Sequence, residues 1–288
     1  MNARLAGAPI SWGVCEVPGW GYQLPADQVL AEMAALGLTA TEFGPEGYLP
    51  TDPGDRAALL GAHGLTAAGR FVPVVLHDPA VNPLPEVELV LDGFGETAGG
   101  AVLVLAAATG ADGYEGRPEL DERGWSTLLA NLDRAAERAA GRGFTATFHP
   151  HVGTMVERRD EVRRLLDRSG IALCLDTGHL LIGGTDPADL ARQAANRVGH
   201  VHLKDVTGQV AGKVTDGTIS YAAGVRQGLY RPLGRGDVDL AGVVGALEAA
   251  GYQGWYVLEQ DTVLTGPPDG EGPRAQVRES LAYLRDLM

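Results

Sequence analysis

The chain has 288 residues, 45% of them hydrophobic, which is enough to bury a sizeable core without staples. Its formal net charge of −14 argues against a nucleic-acid partner, because phosphate backbones are bound by clustered Lys and Arg. No run approaches a membrane span, the first residues lack an export-type apolar stretch, and Cys15 and Cys174 stand far apart among apolar neighbours, so the expectation is buried thiols in a reducing cytoplasm.

Short β-like runs alternate with amphipathic helical stretches in about eight rounds. Ala8–Trp12 reads as the first strand and is followed by a Pro/Gly/Trp-rich loop, Cys15–Tyr22. Val29, Leu30, Met33 and Leu36 mark one face of a helix over Ala26–Leu36, which Gly37 ends. Strand two is Thr39–Phe43 and helix two Asp55–His63; strand three lies within Leu65–Leu76, before a helix over Leu84–Thr97. Strand four is Ala101–Ala106, followed by a long helix over Asp121–Gly141. Thr145–His149 is strand five, Arg159–Asp167 a helix, Ala172–Leu175 strand six, and a helix begins near Pro187. Val198–Leu203 is strand seven; the last round is a helix over Leu240–Ala250, strand eight at Trp255–Leu258 and a closing helix over Arg274–Leu287.

This alternation predicts an α/β fold, a (β/α)8 TIM barrel spanning 1–288 as one domain. An open doubly wound sheet would need a Gly-rich phosphate loop after the first strand, and none follows Trp12. Roughly 206–237 forms a connection of about thirty residues after strand seven, far above ordinary loop length. It is predicted to be a lid or a subunit contact, which leaves a homo-oligomer open.

Six of the seven histidines, His77, His149, His151, His179, His200 and His202, fall at or just beyond predicted strand ends. Glu42, Asp176 and Glu259 fall at matching places. A barrel gathers such ends into one ring, and carboxylates with imidazoles suit Mn2+, Co2+, Zn2+ or Mg2+. His200 and His202 share one strand face, and the deeper His200 reads as support for its neighbour. Glu42 reads equally as a site acid or as a structural one that caps a helix or pairs with an arginine; Lys204 and Asp205 read as a surface pair, and Lys204 equally as a substrate contact. In Asp176-Thr-Gly178-His179, glycine would permit a sharp turn that points the histidine back at the site.

The elements Leu-Asp176-Thr-Gly-His179, His200-Val-His202-Leu-Lys-Asp205, Gly234-Arg-Gly236-Asp237 and Val-Leu-Glu259-Gln-Asp261 resemble the xylose-isomerase-like superfamily of barrels. Ala8-Pro-Ile-Ser-Trp12-Gly, Glu42-Phe-Gly-Pro with Gly47-Tyr48, and His149-Pro-His151-Val-Gly-Thr154 are similar to its inosose dehydratase branch. The resemblance implies one divalent metal ion held by Asp176, His202 and Glu259. His179 and Arg231 are its implied substrate contacts, with Lys204 and Glu42 as further candidates. Related sugar epimerases carry glutamate at the end of strand five, where this chain has His149. That departure favours a metal-dependent lyase dehydrating 2-keto-myo-inositol or a similar polyol ketone over the alternative, an isomerase or epimerase. Histidine needs the least tuning for proton transfer near neutrality. His149, His151 and Glu157 are therefore the catalytic candidates, with His149 also the candidate fourth ligand. Which of the three is ligand and which is base stays open. A metal-free binding barrel is the third reading.

Overall fold

The computed structural model describes residues 4–95, 100–111, 114 and 116–288. Eight parallel strands close into a barrel: β1 (Arg4–Gly7), β2 (Ala40–Glu42), β3 (Thr66–Val74), β4 (Val102–Ala107), β5 (Thr145–Phe148), β6 (Ala172–Asp176), β7 (Val198–Leu203) and β10 (Trp255–Leu258). Neighbours follow chain order, and β10 closes the ring between β7 and β1, with Arg4 opposite Trp255 and Tyr256 opposite Val201. The helices between them are α1 (Ala26–Ala35), α2 (Pro53–Ala62), α3 (Leu84–Phe94), α4 (Glu122–Gly141), α5 (Arg159–Arg168), α6 (Thr177–Ile182), α7 (Pro187–Ala194), α10 (Leu240–Ala249) and α11 (Pro273–Leu287). On α4, Trp125, Leu128, Leu129, Leu132, Ala135 and Ala139 recur at helical spacing, and all are buried against the sheet. Among the described residues no helix is long and apolar enough to cross a membrane, and both cysteines are free thiols.

The first strand lies earlier than predicted. Arg4–Gly7 forms the ladder, and Pro9–Trp12 turns into a 3₁₀ helix with Pro9 in its first turn. Proline has no N–H to give a neighbouring strand, and its fixed φ suits a helical start. Trp12 is buried, with Nε1 donating to Glu32 at 2.8 Å. Helix α3 stops at Phe94; the predicted continuation through Glu96 and Thr97 lies outside the described residues.

The long connection after β7 is structured. It holds α8 (Gly208–Thr215), α9 (Tyr221–Arg226) and a small antiparallel pair, β8 (Asp205–Val206) with β9 (Tyr230–Arg231). Val206, Ala211, Tyr221, Val225, Leu229 and Tyr230 form an apolar cluster with Trp20, Val152 and Ile182. The segment is therefore anchored beside the C-terminal mouth of the barrel.

Asp205 organises this segment and turns away from Lys204, so the two are not a surface pair. Its buried carboxylate accepts from Val206 N (3.0 Å) and Val238 N (3.1 Å) at Oδ1, and from Gly234 N (2.9 Å) and Gly236 N (2.8 Å) at Oδ2. At Gly236 a side chain would stand 2.2 Å from that carboxylate, and Gly234 has φ +82 with Tyr283 packed where a Cβ would go. The Gly-Arg-Gly-Asp motif is thus a backbone cradle for Asp205. Asp205→Asn puts an amide donor against two N–H groups, and a loss of about 3 kcal/mol is expected, read as a lower urea midpoint.

Candidate active site

The strands deliver their last side chains to one buried cluster. The β6 apolar run Ala-Leu-Cys-Leu ends on Asp176, whose Oδ1 caps α6 by accepting from His179 N at 2.8 Å. Its Oδ2 makes no hydrogen bond, and it lies 3.3 Å from His149 Nε2 and 3.6 Å from His202 Nδ1. His202 Nδ1 is 3.2 Å from Glu259 Oε2. Ligand atoms of Asp176, His202 and Glu259 all lie within 4.8 Å of one another, and those of His149, Asp176 and His179 form an overlapping group.

Gly178 does not make the sharp turn expected of it. It lies inside α6, and an added Cβ would stand 2.8 Å from Lys204 Cβ and 3.0 Å from Tyr230. The glycine lets α6 approach β7 closely enough for His179 to enter the cluster.

The donor set fits a divalent cation. Buried nitrogens and oxygens normally find partners, yet both ring nitrogens of His149, Nδ1 of His202 and Oδ2 of Asp176 have none. Burial opposes charge on His202, but the Cys174 sulfur and the carboxylates of Glu259, Glu42 and Asp176 hold its ring well above the ordinary imidazole pKa. Burial likewise raises Asp176, and Lys204 with the surrounding histidines draws it well below the carboxylate range. The pocket thus stabilises positive charge beside ionised acids.

Lys204 lies at the edge of this cluster, 3% exposed. Its Nζ is 2.8 Å from Asp261 Oδ1, 3.0 Å from Glu259 Oε2 and 3.1 Å from His179 Nε2. Burial alone would discharge it, but Asp261, Glu259 and Asp176 raise its pKa well above the usual lysine value. Asp261 in turn accepts from Tyr221 Oη at 2.6 Å, and Tyr221 meets Tyr230 Oη at 2.9 Å. The Tyr221–Asp261–Lys204 chain was missed as a site in the sequence. Asp261 sits two residues after Glu259 and gave a signal; Tyr221 comes from α9, within a segment read as loop.

His149 and His151 separate clearly. His149 faces Asp176 and His202, its ring 4.9 Å from that of His202. His151 Nδ1 donates to Val152 O at 2.7 Å, which fixes the tautomer and leaves Nε2 as an acceptor. Burial, together with His149 and Lys204, holds its pKa well below the ordinary value, so the ring is neutral. It stacks on His179 at 3.7 Å between ring centres and is flanked by Phe71 and Tyr114. His149, His151, Phe71 and Tyr114 line a pocket of about 270 Å3 together with Glu42, Trp20, Glu16, Lys204, Tyr221, Glu259 and Asp261, whereas His179, the implied substrate contact, is not among its lining residues.

Two candidates fall elsewhere. Glu157 lies outside the pocket lining: its Oε2 accepts from Gly153 N at 2.8 Å and faces Arg117 Nε at 3.4 Å, so it braces the loop after β5. Arg231 is exposed on β9 and outside the pocket lining, because the alternation along the strand buries its neighbour Tyr230 instead. Glu42 caps no helix and meets no arginine; it is buried against His200 and His202. His77 lies beyond β3, off the pocket, next to an Asp78 turn that accepts from Ala80 N. His63 meets Asp27 at the end of α2.

A closed β/α barrel with imidazoles and carboxylates gathered at its C-terminal strand ends belongs to the barrel enzymes, which work at that face. The chain is a member of the xylose isomerase-like TIM barrel family, whose model matches residues 30–287. It is 33% identical over 275 residues to the rhizopine catabolism protein MocC of Rhizobium meliloti, covering 91% of this chain and 82% of that one. It is 30% identical over 278 residues to an inosose dehydratase of Geobacillus thermodenitrificans, covering 92% and 93%. Among solved structures, the IOLI protein with a bound zinc atom superposes with a TM-score of 0.71 at 14% identity, covering 99% of this chain and 97% of that one, a likeness of fold.

Proposed function

We propose that the chain is a divalent-metal-dependent hydro-lyase that removes water from an inosose, 2-keto-myo-inositol or a close polyol ketone. Asp176, His202 and Glu259 would hold the ion, with His149 as the fourth donor. When bound, a divalent ion supplies Lewis-acid polarisation of the substrate's oxygens. The observation that carries the reading is the pair on β5 and its loop. His149 turns to the ligand cluster, while the neutral His151 keeps an unprotonated Nε2 in the pocket wall.

His151 is then the base for the proton on the carbon next to the ketone. The electron pair left on carbon moves to the ketone oxygen, where Lys204, fixed by Asp261 and favoured in its charged form by the acids around it, stabilises the developing negative charge. As the pair returns to expel the neighbouring hydroxyl, the His151 imidazolium gives its proton to the departing oxygen. One C–H and one C–O bond break, a C=C bond forms and water leaves, with no oxidant or reductant. Tyr221, Tyr114 and Trp20 wall the pocket and limit competing water.

An epimerase needs an acid or base on each face of the same carbon. The end of β5, from which a second carboxylate would come, carries His149. The elimination is tested by stripping the purified protein with a chelator, reloading it with Mn2+, Co2+ or Zn2+, and following 2-keto-myo-inositol. A hydroxy-enone product, or its diketone tautomer, that disappears on stripping and returns on reloading is expected; turnover unaffected by stripping would overturn the metal requirement.

A further inference from the structure

Glu42 is a buried acid that the proposed reaction does not use. From the end of β2 it reaches across the lumen to β7, where one oxygen, Oε1, lies 2.8 Å from His200 Nε2 and 2.9 Å from His202 Nε2. A carboxylate oxygen only accepts, so both imidazoles present an N–H to it. In a neutral ring this leaves Nδ1 with the lone pair. For His202 that atom makes no hydrogen bond and faces Glu259 Oε2 and Asp176 Oδ2 at 3.2 and 3.6 Å.

We infer that Glu42 is a positioning residue, holding His202 with Nε2 protonated and Nδ1 aimed at the point shared by Asp176 and Glu259. The inference rests on the metal reading above. Glu42, His200 and His202 also form a compact group of possible ligand atoms. Both of its imidazole nitrogens are already turned to the same carboxylate oxygen, so an ion there would break both hydrogen bonds. At the Asp176–His202–Glu259 group an ion breaks no hydrogen bond of His202 Nδ1 or Asp176 Oδ2. His200, one pleat deeper on the same strand face, fixes Glu42 from below. Carboxylates behind metal-bound histidines typically contribute about 10–100-fold in affinity.

The test is zinc affinity of the full chain, measured against a chromophoric chelator, for wild type, Glu42→Gln and Glu42→Leu, with thermal melting alongside. Gln keeps an acceptor oxygen without the charge, and a loss of about 10-fold is expected; Leu removes the acceptor, and about 100-fold is expected. Variants that melt earlier but bind zinc as wild type does would reduce Glu42 to a structural residue and overturn the inference. A second readout needs no variant. In zinc-loaded wild type, a proton–nitrogen correlation spectrum of the imidazoles should show His202 protonated at Nε2 and coordinated through Nδ1, and the reverse assignment overturns the inference. If variants lose affinity, both readings stand; if wild type binds no zinc, Mn2+ or Co2+, the metal reading itself falls.

Discussion

Asp176→Asn is expected to lower dehydration of 2-keto-myo-inositol by about a thousandfold or more and to release the metal, while the protein stays folded. Asparagine is chosen because Asp176 does two jobs with two oxygens. Oδ1 caps α6 through His179 N, which an amide oxygen reproduces at a cost of well under about 1 kcal/mol. Oδ2 makes no hydrogen bond and faces His149, His202 and the Lys204 ammonium, and there the variant loses charge and a ligand atom. Alanine would confound the two roles. Metal content by elemental analysis, a melting curve and initial rates separate them. An Asp176→Asn protein retaining wild-type metal content would show that the ligand set is wrong.

His151→Gln is the second large effect. Removing a general acid–base typically costs about 10²–10⁴ in rate, and here it should fall on kcat with KM and metal content little changed. The reason is positional: His151 touches His179, Phe71 and Tyr114 in the pocket wall, whereas the unpartnered ligand atoms belong to His149, Asp176 and His202. His149→Gln should instead reduce metal affinity together with rate. Should His151→Gln lose metal while His149→Gln keeps it, the two histidines have been assigned the wrong way round.

The two variants also mark how far the sequence could be read. Strand seven, Val198–Leu203, and strand eight, Trp255–Leu258, match their predicted bounds because each is a short run carrying β-branched, aromatic or aliphatic residues that is closed by polar ones. Asp176, His202 and Glu259 could be placed together because parallel strands in a barrel share one C-terminal rim. What sequence could not supply was side-chain direction after a strand ends. Lys204 and Asp205 are adjacent, yet one enters the lumen and the other seizes four backbone N–H groups of the following segment. Glu157 and Arg231 carry suitable chemistry near the right strands, but local pairing takes both elsewhere. Tyr221 was hidden because α9 is only six residues long and its neighbours are Gly- and Thr-rich. The first strand was displaced because Ala8–Trp12 is apolar enough for a strand, while Pro9 forbids a ladder bond there.

The central claim is elimination of water by one histidine beside a metal, and isotope-resolved mass spectrometry of the reaction in heavy water tests it most directly. 2-Keto-myo-inositol incubated with the metal-loaded protein should give a product lighter than substrate by one water. A product of undiminished mass, apart from deuterium gained at the carbon next to the ketone, would contradict the account and make the protein an isomerase or epimerase.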